Sequence, residues 1–206
     1  MAVALIASAA CSGGGADKGR AGANPALATD PPHVNPTLAT VPAPTTTTNP
    51  YAVPAVIDAA YVNRVMTGLD AVMGDASRAL IRSTTITSEV YDRLRAIYSN
   101  NSLLQLVVDS MEDEIRQGFT GFKPNPGNRM TSVTGLITAQ PDCIFVRVNR
   151  DYSAMSPEAD STDVQWVALK PLERSRDPHG HNPTSWAMIY DGFTRDRTQP
   201  QNPCQR

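Results

Sequence analysis

The sequence predicts an α+β fold in which helices come first and an antiparallel sheet follows, and two changes of pattern predict it. From Tyr51 to Gly121 apolar residues recur at three- and four-residue steps; from Met130 onward they alternate one by one. These are the periods of a helix with one buried face and of a strand with one buried face. Ahead of Tyr51 neither period exists, so the ordered domain is expected over residues 51–206.

The first helix has Pro54 suited to its first turn. Ile57, Tyr61, Val65, Leu69 and Val72/Met73 mark its apolar face. Gly74 is expected to end or kink it, with Asp75 capping a short continuation through Ala79, Leu80 and Ile81. Ser88 suits the cap of a second helix carrying Val90, Leu94 and Ile97/Tyr98 on one face. After Asn100-Asn101, residues Leu104, Val107/Val108, Met111 and Ile115 give a third. Its outer face is acidic (Asp109, Glu112, Asp113), and Gly118 and Gly121 stop it.

Four strands follow. Met130–Thr138 is rich in Thr and Val, and Gln140-Pro141-Asp142 makes a tight turn. In Cys143–Tyr152, residues Ile144, Val146 and Val148 point one way while Phe145, Arg147 and Asn149 point the other. Ser156-Pro157-Glu158-Ala159-Asp160 reads as a loop. In Asp163–Leu169, Val164, Trp166 and Ala168 alternate against Gln165, Val167 and Leu169. A loop with Pro171, Pro178 and Pro183 leads to Thr184–Tyr190, expected to set Trp186, Met188 and Tyr190 on one side. Strands joined by turns and exposed loops imply a meander. Helices covering one face of such a sheet complete the layout.

The 206 residues carry a net charge of −2 without a Lys/Arg block, so the electrostatic footprint of a nucleic-acid binder is missing. Residues 12–50 hold no aromatic residue, prolines at 25, 31, 32, 36, 42, 44 and 50, and a Thr45–Thr48 run. A segment of this composition cannot bury enough apolar surface to offset its ordering entropy, which makes it a disordered tether spanning about 30–40 Å. Its Thr/Pro mixture also suits an O-glycosylated stalk, a plain spacer being the simpler reading.

Residues 1–11 form an expected signal segment. The apolar run 2–10 ends at Cys11, then Ser12 and Gly13 to Gly15 follow. This order resembles the lipobox of bacterial lipoproteins, in which the cysteine is lipidated and becomes the mature N-terminus. The resemblance implies lipid attachment at Cys11 and a protein held outside the cytoplasmic membrane. Ser8 stands where a lipobox usually has Leu, and no Lys or Arg precedes Lys18, which places the basic region expected of a secretory segment upstream of residue 1. Ala7-Ser8-Ala9 also suits ordinary cleavage, which would give a secreted protein without lipid. No later run is long and apolar enough for a transmembrane helix.

With Cys11 assigned to lipid, Cys143 and Cys204 remain as a pair. An oxidising compartment permits a disulfide between them, and an exposed thiol outside the cell is a liability. The alternative is a buried thiol at Cys143 and a dangling Cys204.

The order of elements over Tyr51 to about Phe193, the Cys143–Tyr152 strand and the closing Asn182-Pro183-Thr184-Ser185-Trp186 segment resemble the NTF2-like (cystatin-like) cone. That fold is common among small exported actinobacterial lipoproteins and mammalian-cell-entry-associated proteins. The resemblance implies a curled four-stranded sheet with a hollow between helices and sheet. Only short stretches between the helices remain for the extra early strand such cones often carry.

No catalytic motif stands out. Asp177-Pro178-His179-Gly180-His181 is the one metal-like spacing, but zinc wants three or four rigidly held ligands and this is a Pro/Gly loop, so no metal is expected. His33 lies in the tether. There is no nucleophile elbow and no phosphate loop, hence no cofactor is expected. Glu112-Asp113-Glu114 reads as a solvated helix face. Asp70, Asp151, Tyr61, Tyr152 and Tyr190 are the residues a cone-fold enzyme would have at hand, though no spacing selects them. The first functional reading is a non-enzymatic, lipid-anchored domain that binds another envelope protein, because a mobile leash raises local concentration. The second is a module for a small apolar ligand in a closed hollow lined by Phe145, Trp166, Trp186 and Met188. A cone-fold enzyme is the third.

Overall fold

The computed structural model describes residues 49–157, 162–192 and 198–205, all within one compact unit, Thr46–Arg206. Cys11, His33, Phe193 and nearly all of the 12–50 tether lie outside the described residues, as do 158–161 of the loop after Ser156.

Three helices, α1 (Ala59–Ser83), α2 (Ser88–Ile97) and α3 (Asn101–Arg116), precede four strands, β1 (Met130–Gln140), β2 (Cys143–Asp151), β3 (Thr162–Pro171) and β4 (Trp186–Gly192). All strand pairs are antiparallel and the sheet order is β1-β2-β3-β4. The α+β class therefore stands. The sheet is not strongly curled, and β1 and β4 form its two edges.

Helix α1 begins five residues after its expected proline, because Asp58 is the better cap. Its carboxylate accepts from Tyr61 N–H at 2.7 Å. Gly74 does not divide the helix. It is buried, and a Cβ there would collide with the Asn128 side chain, so the residue serves close approach of the 126–129 segment. A glycine costs a helix only about 1 kcal/mol against alanine. Thirteen further buried positions along α1 outweigh that. In α2 the cap is Thr87, whose hydroxyl accepts from Val90 N–H, and Ser88 is the first helical residue. Asn100 caps α3 by accepting from Ser102 and Leu103 N–H. Gly118, at φ 70°, turns the chain out of α3.

The sheet's inner face carries Ile144, Val146 and Val148 of β2, Val167 and Leu169 of β3, and Trp186 and Met188 of β4 against the apolar stripes of all three helices. On the outer face Phe145, Trp166 and Ala168 form a second cluster with Ile189, Tyr190 and Cys204. The four residues expected to line one hollow are thus split between the two faces, Phe145 and Trp166 outside, Trp186 and Met188 inside. Trp186 is fully buried, its indole N–H donating to Tyr61 Oη at 2.8 Å. The Cys143–Cys204 disulfide is present, with Cα atoms 5.6 Å apart, and it ties the C-terminal segment to the start of β2.

Strand β4 departs from simple alternation. Leu169 pairs with Met188 but Ala168 pairs with Tyr190, so Ile189 is an extra, bulged residue. A bulge shifts the phase of everything beyond it. Tyr190 therefore joins the outer cluster and not Trp186 and Met188. By the same shift Asp191, opposite Val167, is turned to the inner face.

Candidate functional site

That turn of Asp191 completes a buried ionic group. Arg150 continues the inward series of Ile144, Val146 and Val148 along β2 and is 2% exposed. Its Nη1 donates to Asp191 Oδ1 at 2.5 Å and to Gln165 Oε1 at 2.6 Å. Arg129, immediately before β1, is also buried and donates from Nε to Asp70 Oδ1 of α1 at 2.5 Å. Arg129 Nη1 lies 4.0 Å from Asp191 Oδ2, so the carboxylate of Asp191 sits between two guanidinium groups. Gln165 Nε2 donates to Tyr152 Oη at 3.1 Å. Charged side chains are almost never this buried unless paired. Here two cations and two anions match one for one.

The pairing is incomplete at the level of atoms. Among the described residues Asp70 Oδ2, Arg129 Nη2 and Arg150 Nε have no hydrogen-bond partner. Burial works against the charge on Arg129, yet Asp70 above all, then Tyr98 and Asp191, hold its guanidinium above its ordinary range. Burial pushes the Tyr98 phenol up to about 12; Arg129 partly offsets this, Asp191 adds to it and Arg150 opposes it.

The sign of the Tyr98 effect gives a stability prediction. Its folded value lies above the ordinary 10.0, so its contribution is intact below about pH 10 and is lost as pH rises through about 12. Two units correspond to about 3 kcal/mol. Urea titrations at rising alkaline pH should show stability falling across this window. The same series on Tyr98→Phe should show a distinctly shallower fall, and an equal slope in both proteins would refute the assignment.

Above this ionic floor is a cleft of about 550 Å³. Met73, Leu106, Val107, Met111, Phe122 and Met155 are its apolar walls, while Arg129, Arg150, Tyr152, Gln165 and Asp191 are at its polar end. It is not closed: Leu106 is 64% exposed and Ser110 beside it is exposed, so it opens to solvent along α3. None of Phe145, Trp166, Trp186 and Met188 lines it. The hollow between helices and sheet thus differs from the expected one on two counts: it is open where a closed one was expected, and its lining is different.

Of the other residues singled out, Asp70 is in the ionic group and Tyr152 lines the cleft. Tyr61 is core, Tyr190 belongs to the outer cluster, and Asp151 accepts from Ser153 N–H outside the cleft. Glu112 and Asp113 are exposed and pair with Arg116 on the same helix. Glu114 is at the rim, accepting from Gly121 N–H at 3.0 Å. In the 177–181 loop both Asp177 oxygens are taken, by His181 and Asn182 N–H at 2.8 Å each. His179 is exposed and lies 3.7 Å from Asp92. The described residues contain no group of three or more metal-ligating side chains, and no helix among them is long and apolar enough to cross a membrane.

Arg129, Arg150, Gln165 and Asp191 were not marked by sequence reasoning. Arg150 carried a usable signal, since a cation in phase with three core aliphatics needs a buried partner. No protein-family model matches the chain, and no curated protein and no solved structure matches it either.

Proposed function

We propose that this is a lipid-anchored envelope protein of the NTF2-like cone type whose domain holds a small, mainly apolar ligand in the cleft between α3 and the sheet. One observation carries the choice: apolar walls stand over a buried, charge-matched polar floor. Small-molecule sites are mostly apolar with a few fixed polar groups that orient the ligand. The helix-then-meander order supports the cone assignment. Cys11 and the proline-rich tether support a surface location on a leash.

The test uses the full chain extracted from membranes of its own host. Mass spectrometry should find acyl chains on Cys11, and spraying under non-denaturing conditions should show an additional mass that denaturation releases. Ser110→Trp, an exposed position on the cleft wall, should abolish that mass while leaving the circular dichroism spectrum unchanged. Unmodified Cys11 would overturn the anchor. A protein that carries no ligand and binds no apolar probe would overturn the cleft.

An envelope protein partner is the second reading, favoured by Met130, Leu136 and Ile137, large apolar residues exposed along edge strand β1. Crosslinking in intact cells through a residue of β1 distinguishes it, because a cleft ligand leaves that edge unprotected.

A further inference from the structure

We propose that the cleft selects a neutral apolar ligand bearing one hydrogen-bond-accepting oxygen, such as a ketone, ester or amide carbonyl, and that the Tyr152 hydroxyl is the group that reads it. This rests on the cleft reading above and narrows it.

The direction of the hydrogen bonds carries the argument. An arginine side chain only donates. Arg150 Nη1 is already the donor to Asp191 and also contacts the end of Gln165 at 2.6 Å. The Gln165 atom at that contact has to be the carbonyl oxygen, because the amide nitrogen would set donor against donor. The orientation of the amide is thereby fixed, and its nitrogen is turned to Tyr152. An amide nitrogen also only donates, so the phenol oxygen accepts there. The phenol proton is left to point elsewhere, and among the described residues no acceptor takes it. Tyr152 is half-buried and lines the cleft, so this proton is offered to whatever occupies it. A charged guanidinium at the head of the chain polarises each bond after it and makes Tyr152 a better donor.

Charge matching decides that the ligand is neutral. Arg129 and Arg150 are already answered by Asp70 and Asp191. An anionic head would bring an unmatched charge towards Asp191 and the rim carboxylate of Glu114, and a cationic head would meet two guanidinium groups. An unmatched charge set against this buried polar end of the cleft, where Arg129, Arg150 and Gln165 are 2–6% exposed, is costly. A neutral acceptor completes the donor chain and adds no charge.

The experiment is a fluorescence titration of the full chain with two probes of one shape. The first is an acyl-dimethylaminonaphthalene, a neutral ketone; the second is its alkyl counterpart without the carbonyl. Dodecanoate serves as an anionic competitor. The wild-type protein should bind the ketone about 3–10-fold more tightly than the alkyl probe, the range of one neutral hydrogen bond. Tyr152→Phe should erase the difference by weakening the ketone alone, and dodecanoate should compete poorly. Equal binding of both probes by wild type, a ketone preference that survives Tyr152→Phe, or displacement by dodecanoate at lower concentration than by the ketone would each overturn the proposal while leaving the cleft reading in place. Binding of neither probe, or binding that Ser110→Trp does not touch, would remove both.

Discussion

Replacing Asp70 with alanine is expected to destabilise the domain by about 3–5 kcal/mol, the cost of leaving one member of a buried ion pair uncompensated. Arg129 is 6% exposed and would retain its charge without the carboxylate 2.5 Å from its Nε. Asp191 cannot take over, because it stands 4.0 Å from Arg129 and is held at 2.5 Å by Arg150. Against total stabilities of about 5–15 kcal/mol for ordinary domains, such a loss is a large share of the whole. The pair need not be a net stabiliser for this to hold. One oxygen of Asp70 and one nitrogen of Arg129 are already unpartnered, so the desolvation of both groups is only partly recovered. The double variant Asp70→Leu/Arg129→Met should accordingly regain most of what the single variant loses. Urea unfolding followed by tryptophan fluorescence measures all three proteins. A single-variant loss below about 1 kcal/mol, or a double variant no better than the single, would contradict this account.

The same cluster shows what could be read from the chain and what could not. Helix faces were legible because buried residues repeat with the helix: Tyr61, Val65, Leu69 and Val72 all reach the core. The split of β2 into Ile144, Val146 and Val148 against Phe145 was legible for the equivalent reason. Alternation, however, says that two residues lie on opposite sides, not which side meets the helices. That is why Phe145 and Trp166 could be grouped with Trp186 and Met188 although the sheet lies between them. The bulge at Ile189 was beyond reach, since no residue in Trp186–Gly192 announces it and only the pairing with β3 reveals the extra residue. Without it Asp191 would face outward and Arg150 would lack its carboxylate. Asp70 was noticed as an ionisable residue, but its partner lies 59 residues away in an irregular segment, where local pattern carries no pairing information. The Gly74 expectation failed for a related reason: local helix propensity favoured a break, and the tertiary approach of Asn128 made the missing side chain an advantage.

Removing the disulfide, as Cys143→Ala/Cys204→Ala, should cost about 4 kcal/mol on the chain-entropy account of a closed loop with a sequence separation of 61. Its second effect is local and separates two roles for the bond. The C-terminal segment is held to the outer sheet face by the disulfide, by Asn202 Nδ2 donating to Thr138 Oγ1 at 2.9 Å, and by Cys204 within the Phe145–Trp166–Ala168 cluster. That part-buried hydrogen bond is worth about 1 kcal/mol and does not replace a covalent strap. With the bond gone, the segment should leave that face and Trp166, now 6% exposed, should become accessible. Trp186, fully buried under α1, should not. Acrylamide quenching without denaturant should therefore rise for one tryptophan only, and Trp186→Phe in the same background should retain the whole increase. If quenching stays unchanged while stability falls, the bond acts only on the unfolded chain. If both tryptophans open together, the outer cluster and the inner core unfold as one unit, and the segment is part of the core's support and not a cover over the sheet.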